Sequence, residues 1–446
     1  MDPSPAAVTG APASPAEAAL WLRQRPEGSW QWASTRQEWA GRLLRGRAAD
    51  EAPRLLPALY ALCGGAHRLA ARHAVAAASG EAASATEVDA QALQVDTLRE
   101  HLRRLWLDGP RLMLTGPAGQ GASAGPAASP GPPAPGSGEM AMTLARCPYL
   151  GNEATLDDAA HCEGRRWVEE HVFGTDPDEW LAAWRIDPAT VAQRWSTYGQ
   201  ATASLVPWPA RWLAAVRQRL GALAQPPQPL RVAADPQALR TLATQLRSQS
   251  GFALAPTIGG RPAETGCWTR LADPLAWSTA TARAHPYAPL WMRHAVRLAD
   301  IAHLSGPLGA HWLAQGALAT GEREGLGWCE MARGLLVHWV RLGDHGAIAD
   351  YRVLAPTEWN FHPQGAAARW LLEAAAAHAL AGAEVPAGPS GAALLDVAQV
   401  RAFVAAYDPC VELRIEAMHP EGAARRAPPG DLAVQSGAPE APARHA

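Results

Sequence analysis

The sequence predicts a mainly α protein with a small β-hairpin insertion. Apolar residues recur at helical spacing over most of its 446 residues. Residues 333–354 break that rhythm with two β-compatible runs, which flank Gly-Asp-His-Gly. Segments too poor in large apolar residues to form a core are confined to the two ends and one internal stretch.

Residues 1–14 are Pro/Ala-rich and read as a flexible N-terminus. Helices follow at 16–24, 34–47, 53–62, 66–79 and 87–107. In the last, Leu93, Val95, Leu98, Leu102 and Leu105 form a stripe with Arg and Glu opposite. Residues 115–141 are Gly/Pro/Ala/Ser and form a flexible insertion, which need not mark a domain boundary. Helical pattern returns at 154–172, 177–198 and 209–224. A short strand is expected within 226–236, then helices at 236–248, 283–304, 365–383 and 396–406. The main domain is expected over 15–412, and 413–446 as a disordered tail. No period of 20–50 residues is present, so a solenoid is not expected.

Bulk composition narrows the function classes. The 48% apolar fraction supports a sizeable core, and a net charge of −3 gives no electrostatic case for nucleic acid. All 39 basic residues are Arg, which excludes Schiff-base and P-loop lysines. The start of the chain lacks a secretory h-region, and no apolar run is long enough for a membrane span. Six widely spaced cysteines do not form a disulfide framework, so a reduced, cytoplasmic protein is expected. The 19 tryptophans fall mostly at helical spacing, such as Trp180 with Trp184, and read as core filling.

Two cysteines stand out locally. In "LCGGAH" (62–67), Cys63 and His67 sit about one turn apart if a helix begins near Gly65. A thiol at a helix N-terminus has its thiolate favoured by free N–H groups, although on this stretch alone packing as a small hydrophobe, with His67 bonding locally, is the default reading. In "YDPCVELRIE" (407–416), Pro409 fixes the backbone just before Cys410. Arg333 enters the hairpin, which is followed by Ala-Pro-Thr-Glu-Trp-Asn; an Arg can aim a fork of donors at an anion. "AETGCWTR" (263–270) has no independent chemical meaning. The sequence assigns no role to Cys147, Cys162, Cys267 or Cys329.

Taken in order, these segments resemble the large subunit of nickel–iron hydrogenases. The resemblance is strongest to the shorter HupK/HoxV-type hydrogenase expression/formation proteins, paralogues of that subunit. It covers roughly 43–79 and 260–412, and implies a helical core like the large subunit's. By resemblance, Cys63 takes a bridging-thiolate position and Cys410 a terminal nickel-ligand position. Arg333 matches an arginine over the diatomic ligands of iron, Thr357 a hydroxyl donor to cyanide, and Asp408 and His67 supporting positions. The departures are equally specific. Tyr60 and Leu413 stand where the enzymes carry their other two cysteines, Glu416 where they carry a histidine, and Ala332 where they carry a proline.

Two sulfurs do not make the soft four-thiolate set that nickel takes in the enzymes. They suffice for an iron that already carries cyanide and carbon monoxide. The expectation is a non-enzymatic accessory protein that holds this iron fragment transiently, at Cys63 and Cys410, without nickel. It would act with hydrogenase maturation proteins and the hydrogenase large subunit. A metal-free assembly chaperone is the alternative, and an active hydrogenase subunit a third possibility.

Overall fold

The computed structural model describes residues 18–24, 30–81, 86–110, 137–151, 156–200, 206–221, 223–271, 287–371 and 397–416. In chain order its main elements are β1 (Ala19–Gln24), β2 (Trp30–Ser34), α1 (Trp39–Leu44), α2 (Ala52–Leu59), α3 (Gly64–Ala78) and α4 (Glu87–Arg103). Then come α5 (Ser137–Ala145), α6 (Asp158–Val168), α7 (Pro177–Ile186), α8 (Pro188–Tyr198), α9 (Trp208–Leu220), α10 (Pro236–Ser248), α11 (Cys267–Leu271) and α12 (Leu290–Ser305). The chain continues through β3 (Gln315–Gly321), β4 (Glu324–Met331), β5 (Gly334–Leu342), β6 (Ile348–Leu354) and α13 (Pro356–Asn360). It ends with α14 (Val397–Tyr407) and β7 (Glu412–Glu416).

Helix α12 is the axis of the core. Every residue of it is buried except His303, including Arg293, His294, Arg297 and Asp300. Buried charge on this scale requires partners. Arg293 pairs with Glu264 at 2.9 Å, Arg297 with Asp408 at 3.3 Å, and Asp300 with Arg270 and His101. The polar stripe of α12 therefore stitches helices together inside the core.

The hairpin at 333–354 is present, but as half of an antiparallel sheet in the order β3-β4-β5-β6. Helix α3 lies on β4 at backbone distance. A Cβ at Gly327 would stand 2.3 Å from Ala70 O and Ala74 N, and one at Gly325 would stand 2.1 Å from Ala74 O. Only glycine permits that approach.

Several expected elements differ. Residues 19–24, expected as helix, form β1. Leu20 and Leu22 are buried while Arg23 is exposed, the two-residue alternation of a strand. β1 pairs antiparallel with β2 and parallel with β7, and β7 crosses the expected boundary at 412: Leu20 pairs with Leu413 and Arg23 with Glu416. The helix expected over 177–198 is two helices, because Pro188 keeps Asp187 out of helical geometry (φ −149°, ψ 88°). The strand expected in 226–236 is reduced to one bridge, Pro229 to Glu264. Residues 137–141, expected within the flexible insertion, begin α5. The rest of that insertion through 136, residues 1–14, 372–383 and the tail beyond 416 lie outside the described residues. No helix among the described residues is long and apolar enough to cross a membrane.

Candidate functional site

Cys63 is the N-cap residue of α3. Ahead of it, Pro57 lies inside α2 and Tyr60 ends that helix with φ −123° and ψ 58°. The chain makes one 3-10 turn, Ala61–Cys63, before α3 starts. Cys63 is thus held by the glycine-mediated packing of α3 on β4. The thiol is pushed up to about 12, first by burial and then by the charge of Cys410, against the opposing pull of Arg333.

Cys410 lies between α14 and β7. Asp408, just before it, has a positive φ of 49°, which a non-glycine residue adopts only when held there. Three arginines hold it: Arg104, Arg297 at 3.3 Å and Arg333 at 3.7 Å. Burial acts to raise the Asp408 carboxyl, but these charges, led by Arg104, keep it far below the usual carboxylate range. Arg104 also donates to Pro409 O at 2.9 Å. Beyond the turn, Cys410 N–H donates to Thr357 Oγ1 at 3.1 Å, and that hydroxyl lies 3.1 Å from the Cys410 sulfur. Arg36 Nη1 donates to the same sulfur at 3.1 Å.

Cys63 and Cys410 line one cavity of about 210 Å³ together with Arg36 and Tyr60. A second, larger cavity of about 590 Å³ opens on the other side of Cys63 and is lined by Arg333 and Glu100. Arg333 occupies the two-residue turn between β4 and β5, where Met331 pairs with Gly334. Gly334 has φ 117°, and a Cβ there would stand 2.3 Å from Thr265 Oγ1. Thr265 Oγ1 in turn accepts from Leu335 N–H at 2.8 Å. This contact gives "AETGCWTR" its role: it backs the turn that presents Arg333.

The Arg333 side chain is buried. Its Nη1 lies 2.9 Å from Glu100 Oε2, yet neither Nε nor Nη1 is aligned for a hydrogen bond. Two buried donors thus remain for a further acceptor. His67 sits differently from the other site residues. Its ring stacks on Tyr60, its Nδ1 lies 3.0 Å from His338 Nε2, and His338 Nδ1 lies 2.7 Å from the Tyr351 hydroxyl. His67 lines neither cavity, but its stacking partner Tyr60 lines the one that the two cysteines share. Burial, then His338, pushes its pKa down.

Residues 308–413 match the model of the nickel-dependent hydrogenase family. The chain is 38% identical over 403 residues to the hydrogenase expression/formation protein HoxV of Cupriavidus necator, with 86% of this chain and 92% of the relative covered. The chain belongs to the HoxV/HupK family of hydrogenase expression/formation proteins. HupK of Rhizobium leguminosarum bv. viciae is 29% identical over 390 residues (84% and 88% covered), and HupK of Azotobacter vinelandii 29% over 391 (85% and 91%). The nickel–iron–selenium hydrogenase of D. vulgaris Hildenborough superposes with a TM-score of 0.50 at 14% identity, covering 85% of this chain and 92% of that one. The fold is therefore the mainly α hydrogenase type.

Sequence reasoning missed the most important neighbours in this HoxV/HupK-family site. Arg36 and its buried carboxylate partner Glu358 come from segments 322 residues apart. Glu358 was visible only as a letter inside "PTEWN". Arg104 and Glu100 lie in the helix whose Arg and Glu residues read as the face opposite its apolar stripe, and Arg297 carries no signal of its own within the helix expected over 283–304. Among the described residues, no group of three or more His, Cys, Asp or Glu side chains is placed to hold a metal ion. Cys267 and Cys329, adjacent to the family motifs, are both buried, and Cys329 Sγ donates to Ala66 O at 3.4 Å.

Proposed function

We propose that this chain is a non-catalytic hydrogenase maturation protein that holds a cyanide- and carbonyl-ligated iron fragment as cargo between Cys63 and Cys410. It would pass the fragment to a hydrogenase large subunit with the help of other maturation proteins, in the cytoplasm. The observation that carries this is the pair of cysteines on one small cavity, with the charge of Cys410 acting on the Cys63 thiol. Two thiols are a poor set for a bare metal ion, which wants about four protein ligands. They are adequate for an iron whose remaining positions are already filled.

The surroundings suit the cargo's own ligands. Cyanide nitrogen accepts hydrogen bonds and carries negative charge. The Arg333 guanidinium, whose Nε and Nη1 are ion-paired but make no aligned hydrogen bond, and the Thr357 hydroxyl supply what such ligands accept. Each thiol would lose its proton on binding, and Arg36 and Arg333 offset the resulting charge. His67 would act indirectly, by fixing the Tyr60 ring beside the cavity.

Anaerobic purification from cells that express the hydrogenase maturation machinery tests the proposal. Iron content and infrared bands of cyanide and carbonyl are expected together. Both are expected to vanish in the Cys63→Ala/Cys410→Ala double variant. Bands that survive in that variant would sink the ligand assignment. Purified protein without iron would instead make it a metal-free assembly chaperone.

A further inference from the structure

Arg36 is the cationic residue lining the cavity that Cys63 and Cys410 share. It follows β2 and is nearly buried, its side chain only 12% exposed. One edge of its guanidinium is fixed by the buried Glu358 carboxylate, and Nη1 donates to the Cys410 sulfur at 3.1 Å. Burial opposes the charge on Arg36, but Glu358 and then Cys410 outweigh it and hold the group protonated.

The chemical consequence is specific. A guanidinium has donors and no acceptor, and it does not give up its proton in a protein. It cannot become a ligand or turn neutral to accommodate an incoming ion. A metal on the Cys410 sulfur at a thiolate bond length of about 2.3 Å would stand no farther than about 5.4 Å from Arg36 Nη1, given the 3.1 Å contact. Two cations that close repel, the more so because the guanidinium is only 12% exposed. An iron carrying cyanide differs, because its anionic ligands offset its charge and present acceptors to the same arginine.

We propose that Arg36 is the specificity residue of the two-thiol site: it admits a metal whose own anionic ligands cancel its charge and refuses a bare thiophilic dication such as nickel(II). The inference rests on the reading that Cys63 and Cys410 face a metal fragment, but its test needs no iron fragment. It adds a repulsive element to a site that otherwise only lacks ligands. It also assigns a purpose to the buried Arg36–Glu358 pair, since Glu358 anchors the arginine that meets the Cys410 sulfur.

The reduced full-length protein is titrated anaerobically with Ni2+, and binding is read from thiolate-to-nickel charge-transfer absorption. Weak binding is expected for the unmodified protein and for Arg36→Lys, which keeps the charge. Arg36→Met combined with Glu358→Gln removes the cation without stranding a buried carboxylate. Its affinity for Ni2+ is expected to rise about tenfold or more, and adding Cys410→Ala should remove the band. Arg36→Gln, which retains a donor to Glu358, gives the same answer should the double variant fold poorly. Equal affinities with and without the arginine charge overturn the proposal, as does tight nickel binding by the unmodified protein. Neither result bears on whether cyanide bands appear in the purified protein, so this inference and the iron-carrier reading fail separately.

Discussion

Tyr60 stacks on His67 with ring centroids 4.2 Å apart and planes inclined by 17°. By the resemblance to the enzymes, Tyr60 takes the place of a thiolate; it ends α2, one 3-10 turn before α3. The stack is therefore part of what holds Cys63 in place. Tyr60→Phe preserves it and is expected to change stability by less than about 1 kcal/mol. Tyr60→Ala removes a half-buried ring and is expected to cost about 1–3 kcal/mol. Urea unfolding of the two variants measures the difference, and equal stabilities would show that the stack holds nothing.

The approach of α3 to β4 makes a second expectation. At Gly327 an added Cβ would meet Ala70 O and Ala74 N at 2.3 Å, both backbone atoms that cannot rotate aside. Gly327→Ala is expected to cost roughly 2–3 kcal/mol and to displace the N-terminus of α3, where Cys63 sits. Gly138, in α5, has nothing within 4 Å of such a Cβ. There the same change is expected to be neutral or to stabilise by about 0.5–1 kcal/mol. Thermal unfolding of both variants checks the contrast.

What could be read from the sequence divides by range of interaction. Helix α4 was visible because Leu93, Leu98 and Leu102 repeat along one face, and all three are buried. The β5–β6 hairpin was visible because its turn residues are local. Residues 19–24 read as a helix because the strand's other partner, β7, lies nearly 400 positions away, and no local pattern reports that pairing. The β7 boundary failed for the same reason. Cys63 and Cys410 were found through the order of family motifs, and the structure brings them to one cavity. Arg36 was not, because a lone arginine after a strand carries no signal until its partners Glu358 and Cys410 fold onto it.

Acid sensitivity follows from the buried histidines. Burial pushes His294 and His338 each down to about 3. Both are neutral when folded; His294 Nε2 lies 3.1 Å from Ala402 O. An unfolded histidine titrates near 6.5, so between that value and 3 the unfolded state binds protons that the folded state does not. Stability therefore falls as pH drops through about 6.5, by roughly 1.4 kcal/mol per unit for each histidine. Denaturant unfolding at pH 7 and pH 5 is expected to differ by at least about 3 kcal/mol. His294→Gln should flatten that slope, and a pH-independent stability would contradict the burial of these rings as neutral groups.

Arg333 separates the roles of fold and cargo. Its charge faces Glu100 at 2.9 Å and Asp408 at 3.7 Å. Asp408 keeps Arg104 and Arg297 when Arg333 is removed, so its turn retains two of its three cationic supports. Arg333→Met is therefore expected to cost only about 1–3 kcal/mol, less than the loss of a sole partner of a buried charge. On the proposed iron-carrier reading, its larger effect falls on the cargo. With the two donors gone, cyanide stretching bands of bound iron are expected to move and broaden, while the iron stays on Cys63 and Cys410. Arg333→Lys, with the charge but not the planar fork, should give an intermediate shift. Infrared spectra of the three proteins at matched iron content make the comparison. Superimposable bands would remove Arg333 from contact with the cyanide ligands and leave it a structural partner of Asp408 and Glu100.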